Sequence, residues 1–517
     1  MNKKTGLLAA VFTLFLTAPQ ATAQPNKTTA GKSTTPQAVH PTLGTTATSD
    51  DGEITITLIA KKQNFGGKEP NTVDTDIHSP KSINIHPDGS KYYVNSLEGC
   101  TTISYDFRTN KKLRVIRHSF KDGRDDALWA PPSGFFEWKH YTDNLNTFSG
   151  KPVESTFSHQ GRYLWVPYYR RTFDINAQDP SAVAVIDTET DSIVRLMETG
   201  PLPKMITTSP DGKLVAISHW GNNTVGIIDI SSDQPQDWHY TKVLVVDYVL
   251  KLDFPLDKQV DRDNDSGYAL RGTVFTPDGN YLLVGCMGGG GGIAVIDART
   301  QHYLGRVMGM MPNVRHLLIS HGYLYLSINR SGDVQRIKLD KFMAAARQMT
   351  GKTTTVSGWE SCHVGAGART ISITPDGRYI FAACNLASAL YVVDTQTMKV
   401  VCQIPVDSFP VGLDISSDGR YLFTTSQGRG KEGGNAVNIF RVDYKHPPVA
   451  DEAIHMEARR QQNAPTDSTA ANNDDGENWL VMDSDTTKTA LICAGGALLL
   501  IASAMLYRHF HHHSSET

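Results

Sequence analysis

Five basic side chains, Lys81, Lys204, Arg271, Arg315 and Arg369, recur at one place in the chain, the start of a short apolar-alternating run that leads into a tight turn. Cations gathered around one opening focus a positive potential whatever the overall charge, and so attract an anionic ligand or an acidic segment. The competing reading is structural: each Lys or Arg pairs with a carboxylate of the neighbouring repeat and staples the fold. If the cations serve a ligand, His219, Trp220, Asn329 and Asn385, which end the run after the turn, are the expected co-liners, with Arg170, Arg171 and Arg429 at the rim.

Other candidate chemistry is weaker. Asp261, Asp263 and Asp265 alternate as the carboxylates of a calcium loop do, but Gly267 comes one place late and Gly272 stands where that loop needs Glu, so a solvated acidic turn is the plainer reading. Gly288–Gly292 lacks the G-x-x-x-x-G-K pattern and following helix of a phosphate loop, and no G-x-S-x-G, H-E-x-x-H or zinc-spaced His/Cys cluster occurs. His316 and His363 read as structural or surface histidines. Cys100, Cys286, Cys362, Cys384, Cys402 and Cys493 are too few for a disulfide scaffold, and no C-x-x-C pair points to redox chemistry or covalent haem. No cofactor is expected, calcium at the acidic turn excepted.

The elements that must position the cations are repeats. Arg369–Asp394 reads as strand, Pro-Asp-Gly turn, strand, loop and strand, because Gly supplies the positive φ of a tight hairpin without steric cost. The turn recurs within Ile85–Val94, Phe157–Val166, Thr208–Ile217, Phe275–Val284, Leu318–Ser327, Ile373–Ala382 and Ile415–Thr424, the fifth copy having a shortened Ser-His-Gly turn. Third strands follow, as in Val183–Thr190, Val225–Ser232, Ile293–Thr300 and Leu390–Thr397. Fourth strands are visible at Leu113–Ile116, Ile193–Met197, Tyr303–Met308 and Lys399–Ile404. Four-stranded repeats of this period are blades that bury their faces against one another, and seven make a closed ring.

This repeat, with its xPDGxxhhV turn and V-x-VID-T third strand, resembles the YVTN-type β-propeller repeat of secreted and surface proteins, related in shape to WD-repeat and lactonase propellers. The resemblance covers roughly Ile54–Tyr444 and implies an all-β, seven-bladed propeller. It is weak for activity, because propellers carry binding modules and unrelated enzymes alike.

The chain has 517 residues, is 39% hydrophobic and carries a formal charge of −3, ample for a large core and without a global pull towards nucleic acid. Residues 1–23 carry Lys3 and Lys4, an apolar run and an Ala21-Thr22-Ala23 cleavage site, which predicts a secretory signal. Residues 24–52 read as a disordered linker and 53–445 as the propeller, with Ile54–Ala60 completing the last blade beside Val437–Tyr444. Residues 446–488 read as an acidic spacer, 489–507 as a transmembrane helix and 508–517 as a short His-rich cytoplasmic tail. The propeller is therefore expected in the periplasm or at the cell surface, anchored to the membrane.

With strands lettered a to d from the channel outwards, the a–b and c–d turns share one face and the b–c and d–a loops the other. The long insertions Ser119–Pro152, Tyr169–Ser181, Val249–Leu270, Gly358–Ala368 and Gln427–Gly434 fall on the second face, where the cations begin strand a. The aromatic segment Leu128–Tyr141 is expected to pack on the propeller rim as a lid, or to offer a partner surface. The leading expectation is a module that binds an anionic small molecule or a protein. The alternative is a propeller enzyme, a lactonase-like hydrolase or a dehydrogenase subunit, acting on an anionic substrate.

Overall fold

A computed structural model describes residues 38–447, apart from 65–71, 138–146, 173, 252–253, 256–259, 263–264 and 429–433. It contains seven antiparallel sheets, each built outwards in the order a, b, c, d. Blade six is the simplest: Ala368–Ile373, Tyr379–Cys384, Ala389–Asp394 and Lys399–Pro405. Strands a to c of blade seven are Pro410–Ile415, Tyr421–Ser426 and Ala436–Tyr444, and its fourth strand is Ile54–Gln63 from the other end of the chain. That strand runs antiparallel to Ala436–Tyr444 from Ile54 opposite Tyr444 to Gln63 opposite Ala436, so the ring is closed by hydrogen bonds between distant segments.

The chemistry of the repeat explains its turn. Thr374 Oγ1 bonds Asp376 Oδ1, Arg378 N donates to the same oxygen at 3.0 Å, and Gly377 takes φ +70°. Asp394 ends strand c and receives Arg378 Nη2 at 2.6 Å, while Thr395 Oγ1 donates to Gly377 O at 2.7 Å. The turn sequence and the V-I-D-T sequence are thus two halves of one hydrogen-bonded corner. Each blade presents apolar residues to both neighbours; Ile54, Ile56 and Leu58, for example, pack with Phe381, Leu390 and Phe440 between blades six and seven.

Three expectations are corrected. Gly358–Ala368, read as an insertion loop, contains Glu360–His363, which is strand d of blade five and pairs with Asp333–Lys338. The chain reaches it through the helix Leu339–Arg347 and through Thr353–Thr355, which adds a parallel edge to blade four. The end of the expected linker is ordered: Thr46–Thr48 pairs with Ile54–Gln63 as a fifth strand of blade seven. In Ser119–Pro152, the segment Thr147–Pro152 pairs with strand b of blade two and carries Ser119–Lys121 beside it.

The described part of the aromatic segment packs on the rim, with Trp129 against Phe120 and Phe148 and Ala130 N bonded to Leu196 O at 2.7 Å. Its remainder lies outside the described residues, as do the leader, the acidic spacer, the apolar C-terminal run and the His-rich tail. Among the described residues no helix is long and apolar enough to cross a membrane.

Candidate functional site

The five cations occupy one recurrent irregularity of the backbone. In every a–b pairing that contains one, the register shifts at the cation: between Pro80 and Ser82, Pro203 and Met205, Leu270 and Thr273, Val314 and His316, and Ala368 and Thr370. Two residues earlier stands a residue in the left-handed region: Ser79, Leu202, Ala269, Asn313 and Gly367. Blade seven repeats the device, with Phe409 left-handed and Val411 at the shift. A bulged residue is unpaired and its side chain is re-aimed, so the fold delivers one side chain per blade away from the regular ladder. At Gly367 the constraint is doubled, because φ is +78° and a Cβ would sit 2.0 Å from Asn385 Oδ1.

Four of the cations feel one another. Burial, followed by the charges of Arg369, Arg271 and Lys204, holds the Lys81 amine well below the ordinary lysine range, with only Glu154 acting the other way. Arg271 is 3% exposed. Its Nη2 lies 3.0 Å from Glu154 Oε1, while Nη1 has no hydrogen-bond partner among the described residues. Lys204 Nζ sits 3.8 Å from the ring centre of Tyr169 and 5.0 Å from that of Trp220, so the aromatic faces steady its charge. Arg315 Nη1 meets Met287 Sδ at 3.2 Å.

One residue further along strand a begins a cavity of about 310 Å³, lined by side chains that include Ser82, Glu154, Met205, His316, Thr370 and Asp414. Asp414 Oδ2 accepts from Ile85 N at 2.8 Å and Oδ1 from Ile415 N at 2.9 Å, and burial pushes its carboxyl up to about 6. Burial lowers His316 to about 4, and its Nδ1 has no hydrogen-bond partner among the described residues. Glu154 and Asp414 were missed by the search for repeated cations. Each lies one or three places beyond the position searched, in the two blades that carry valine there. Comparing the second and fourth residues of each strand a would have found both.

Several proposed co-liners are placed elsewhere. His219 is fully buried between blades two and three: Nε2 lies 2.8 Å from Thr199 Oγ1 and Nδ1 2.7 Å from Thr224 Oγ1. Trp220 is 2% exposed and donates Nε1 to Arg262 O, so it reaches the site only through its contact with Lys204. Asn329 and Asn385 tie blades five and six, with Asn329 Nδ2 bonded to Ala368 O at 3.1 Å. Arg171, expected at the rim, is 2% exposed and donates to Pro180 O. Arg429 lies outside the described residues.

Asp261 and Asp265 share a turn through Asp265 N and Asp261 O at 2.7 Å, while Asp263 lies outside the described residues. Among the described residues no group of three or more His, Cys, Asp or Glu is arranged to hold a metal ion. Cys100, Cys286, Cys362, Cys384 and Cys402 are free thiols.

The buried histidines carry a pH signature. Burial lowers both His118 and His219 to about 3. Below pH 6.5 the unfolded chain takes up protons at these positions that the folded chain refuses, so stability falls as pH is lowered and is unaffected above that value. In urea titrations between pH 6 and pH 4, His219→Gln is expected to flatten the slope by about 1.4 kcal/mol per pH unit. An unchanged slope would contradict a neutral buried His219.

A family model described as Lactonase, 7-bladed beta-propeller matches residues 150–452. That is more than half of the chain, and the protein belongs to this family. A structure of Kuenenia stuttgartiensis hydrazine synthase superposes with a TM-score of 0.50 at 16% identity, covering 73% of this chain and 99% of that one. The beta-propeller domain of Myceliophteria thermophila Cps50 (Swd1) gives 0.47 at 13% identity, covering 71% and 97% respectively. At 16% identity the likeness to the hydrazine synthase structure is one of fold alone. No curated protein matches the chain.

Proposed function

We propose that this propeller is an anchored extracytoplasmic binding module whose channel mouth, ringed by Lys81, Lys204, Arg271, Arg315 and Arg369, takes an anionic group from a small molecule or an acidic partner. The observation that carries the reading is the buried Arg271 guanidinium, which spends one terminal nitrogen on Glu154 and leaves the other without a hydrogen-bond partner among the described residues. Its neighbours make this costly: Lys81 is depressed by burial and then by three surrounding cations, and relieved by one acid. An anion in the ring would satisfy both groups at once. Pure stapling accounts for Arg271 Nη2 but not for Nη1.

Calorimetric titration with sulfate is expected to show binding that weakens with added salt and falls at least about tenfold in Arg271→Ala. Loss of stability in that variant with sulfate binding intact would leave the ring as a staple only. Turnover of a lactone by the purified propeller, abolished by the same substitution, would replace the binding reading with hydrolysis, for which Glu154, His316 and Asp414 in the cavity are the available acid–base groups. The outward location and membrane anchor rest on the leader and the apolar run at 490–507. Recovery of full-length protein in a soluble fraction after cell lysis would remove the anchor from the proposal.

A further inference from the structure

The walls of the channel change character in steps along strand a. The first position holds the cation ring, and the second holds Ser82, Glu154, Met205, Gly272, His316, Thr370 and Gly412. The third-position residues Ile83, Ile371 and Leu413 are buried in the cores between blades, and at the fourth position the cavity wall carries Asn84, Leu318, Ser372 and Asp414. Positive charge therefore gathers at one end and a carboxylate stands at the far end, with Met205 among the side chains between them. Glu154 offsets one charge of the ring through Arg271 and leaves the ring net positive.

Asp414 is fixed by two backbone donors, Ile85 N and Ile415 N, which orient both oxygens and leave acceptor capacity on each. Three residues of extended chain separate it from the ring, roughly 10 Å along the strand. A cavity of about 310 Å³ is at the lower end of the range that holds a small ligand.

We propose that the channel takes a zwitterionic ligand, with its anionic group in the cation ring, an unbranched apolar middle passing Met205, and an ammonium or guanidinium end against Asp414. The inference rests on the anion reading of the ring and adds the cationic end and the span. Desolvation of Asp414 supports it, since a buried carboxylate is relieved by a cation brought to it.

The probes are ω-aminooctanoate, octanoate, which lacks only the ammonium, and sulfate, titrated into the propeller by calorimetry. ω-Aminooctanoate is expected to bind at least about tenfold more tightly than octanoate. Asp414→Asn is expected to erase that advantage while leaving octanoate within about twofold of its wild-type affinity. If this variant fails to fold, the wild type supplies the same test. Lowering the pH from about 7.5 to about 5 protonates Asp414 and should shrink the advantage. Across that range His316 stays neutral, and Glu154 and the neighbouring cations Lys81, Lys204, Arg271 and Arg369 act on the shared carboxylate of both probes alike.

Equal affinity for the two probes, or an advantage that persists without the Asp414 charge, overturns the zwitterion assignment. Sulfate binding retained in that outcome leaves the anion site standing. Failure of sulfate and both organic probes to bind overturns the anion site as well.

Discussion

Replacing Asp407 by alanine is expected to cost about 3–5 kcal/mol of folding free energy, because it strands a buried ammonium. Lys61, in the strand that closes the ring, places Nζ 2.9 Å from Asp407 Oδ2, with side-chain exposures of 3% and 0% for the pair. Asn438 Nδ2 donates to the same oxygen at 2.6 Å, Pro41 O accepts from Lys61 at 2.8 Å, and His40 Nδ1 lies 2.8 Å from Asp407 Oδ1. One carboxylate thus joins the N-terminal segment, strand c of blade seven and the connection from blade six. Removing it alone leaves the ammonium with only the Pro41 carbonyl among these partners. The double replacement Lys61→Met with Asp407→Leu removes both charges and is expected to recover most of the loss. Urea midpoints of the three chains decide the matter; a loss below about 1 kcal/mol in the single variant would mean that the pair is unimportant.

The second large effect is expected from a chain that begins at Asn64. Such a chain lacks Ile54–Gln63, which supplies the fourth strand of blade seven and buries Ile54, Ile56 and Leu58 completely. Those three side chains represent about 5–9 kcal/mol of burial before any ladder hydrogen bond is counted, comparable to the net stability of many domains. Ala436–Tyr444 would also be left as a nine-residue open edge, a template for pairing with another copy. The truncated chain should therefore elute as oligomers or aggregates and lose its cooperative melt, and a synthetic peptide spanning residues 38–64 should restore both properties. A truncated monomer with an unchanged melt would show that the ring does not depend on its closing strand.

The parts of this fold that were legible in the sequence are those where one residue type has no substitute. Asp-Gly at the turns, with Thr or Ser two places before the Asp in four of them and His86 in a fifth, marks the hairpins, and V-I-D-T marks strand c because its Asp and Thr complete the same corner. The closing strand was legible because Ile54–Ala60 alternates with no Asp-Gly partner beside it. Strand d of blade five was not, since Glu-Ser-Cys-His has a single buried side chain and is reached through a helix.

The cation positions could be read from the alignment of repeats, but not the bulge that aims them. It follows a left-handed residue that is Ser, Leu, Ala, Asn or Phe as readily as Gly, and so leaves no mark in the composition. His219 illustrates the opposite failure. It ends strand b, where a ligand group was expected, yet the hydroxyls of Thr199 and Thr224 on the neighbouring segments claim both ring nitrogens.

The bulge at the head of strand a separates what the scaffold requires from what the channel displays. Six blades share the irregularity, and its occupant is Lys, Arg or Val while the strands on either side keep their pairing. The sheet keeps the same pairing whichever of these side chains it carries. If the ring binds as proposed, its selectivity can drift one blade at a time over a sheet whose pairing stays the same.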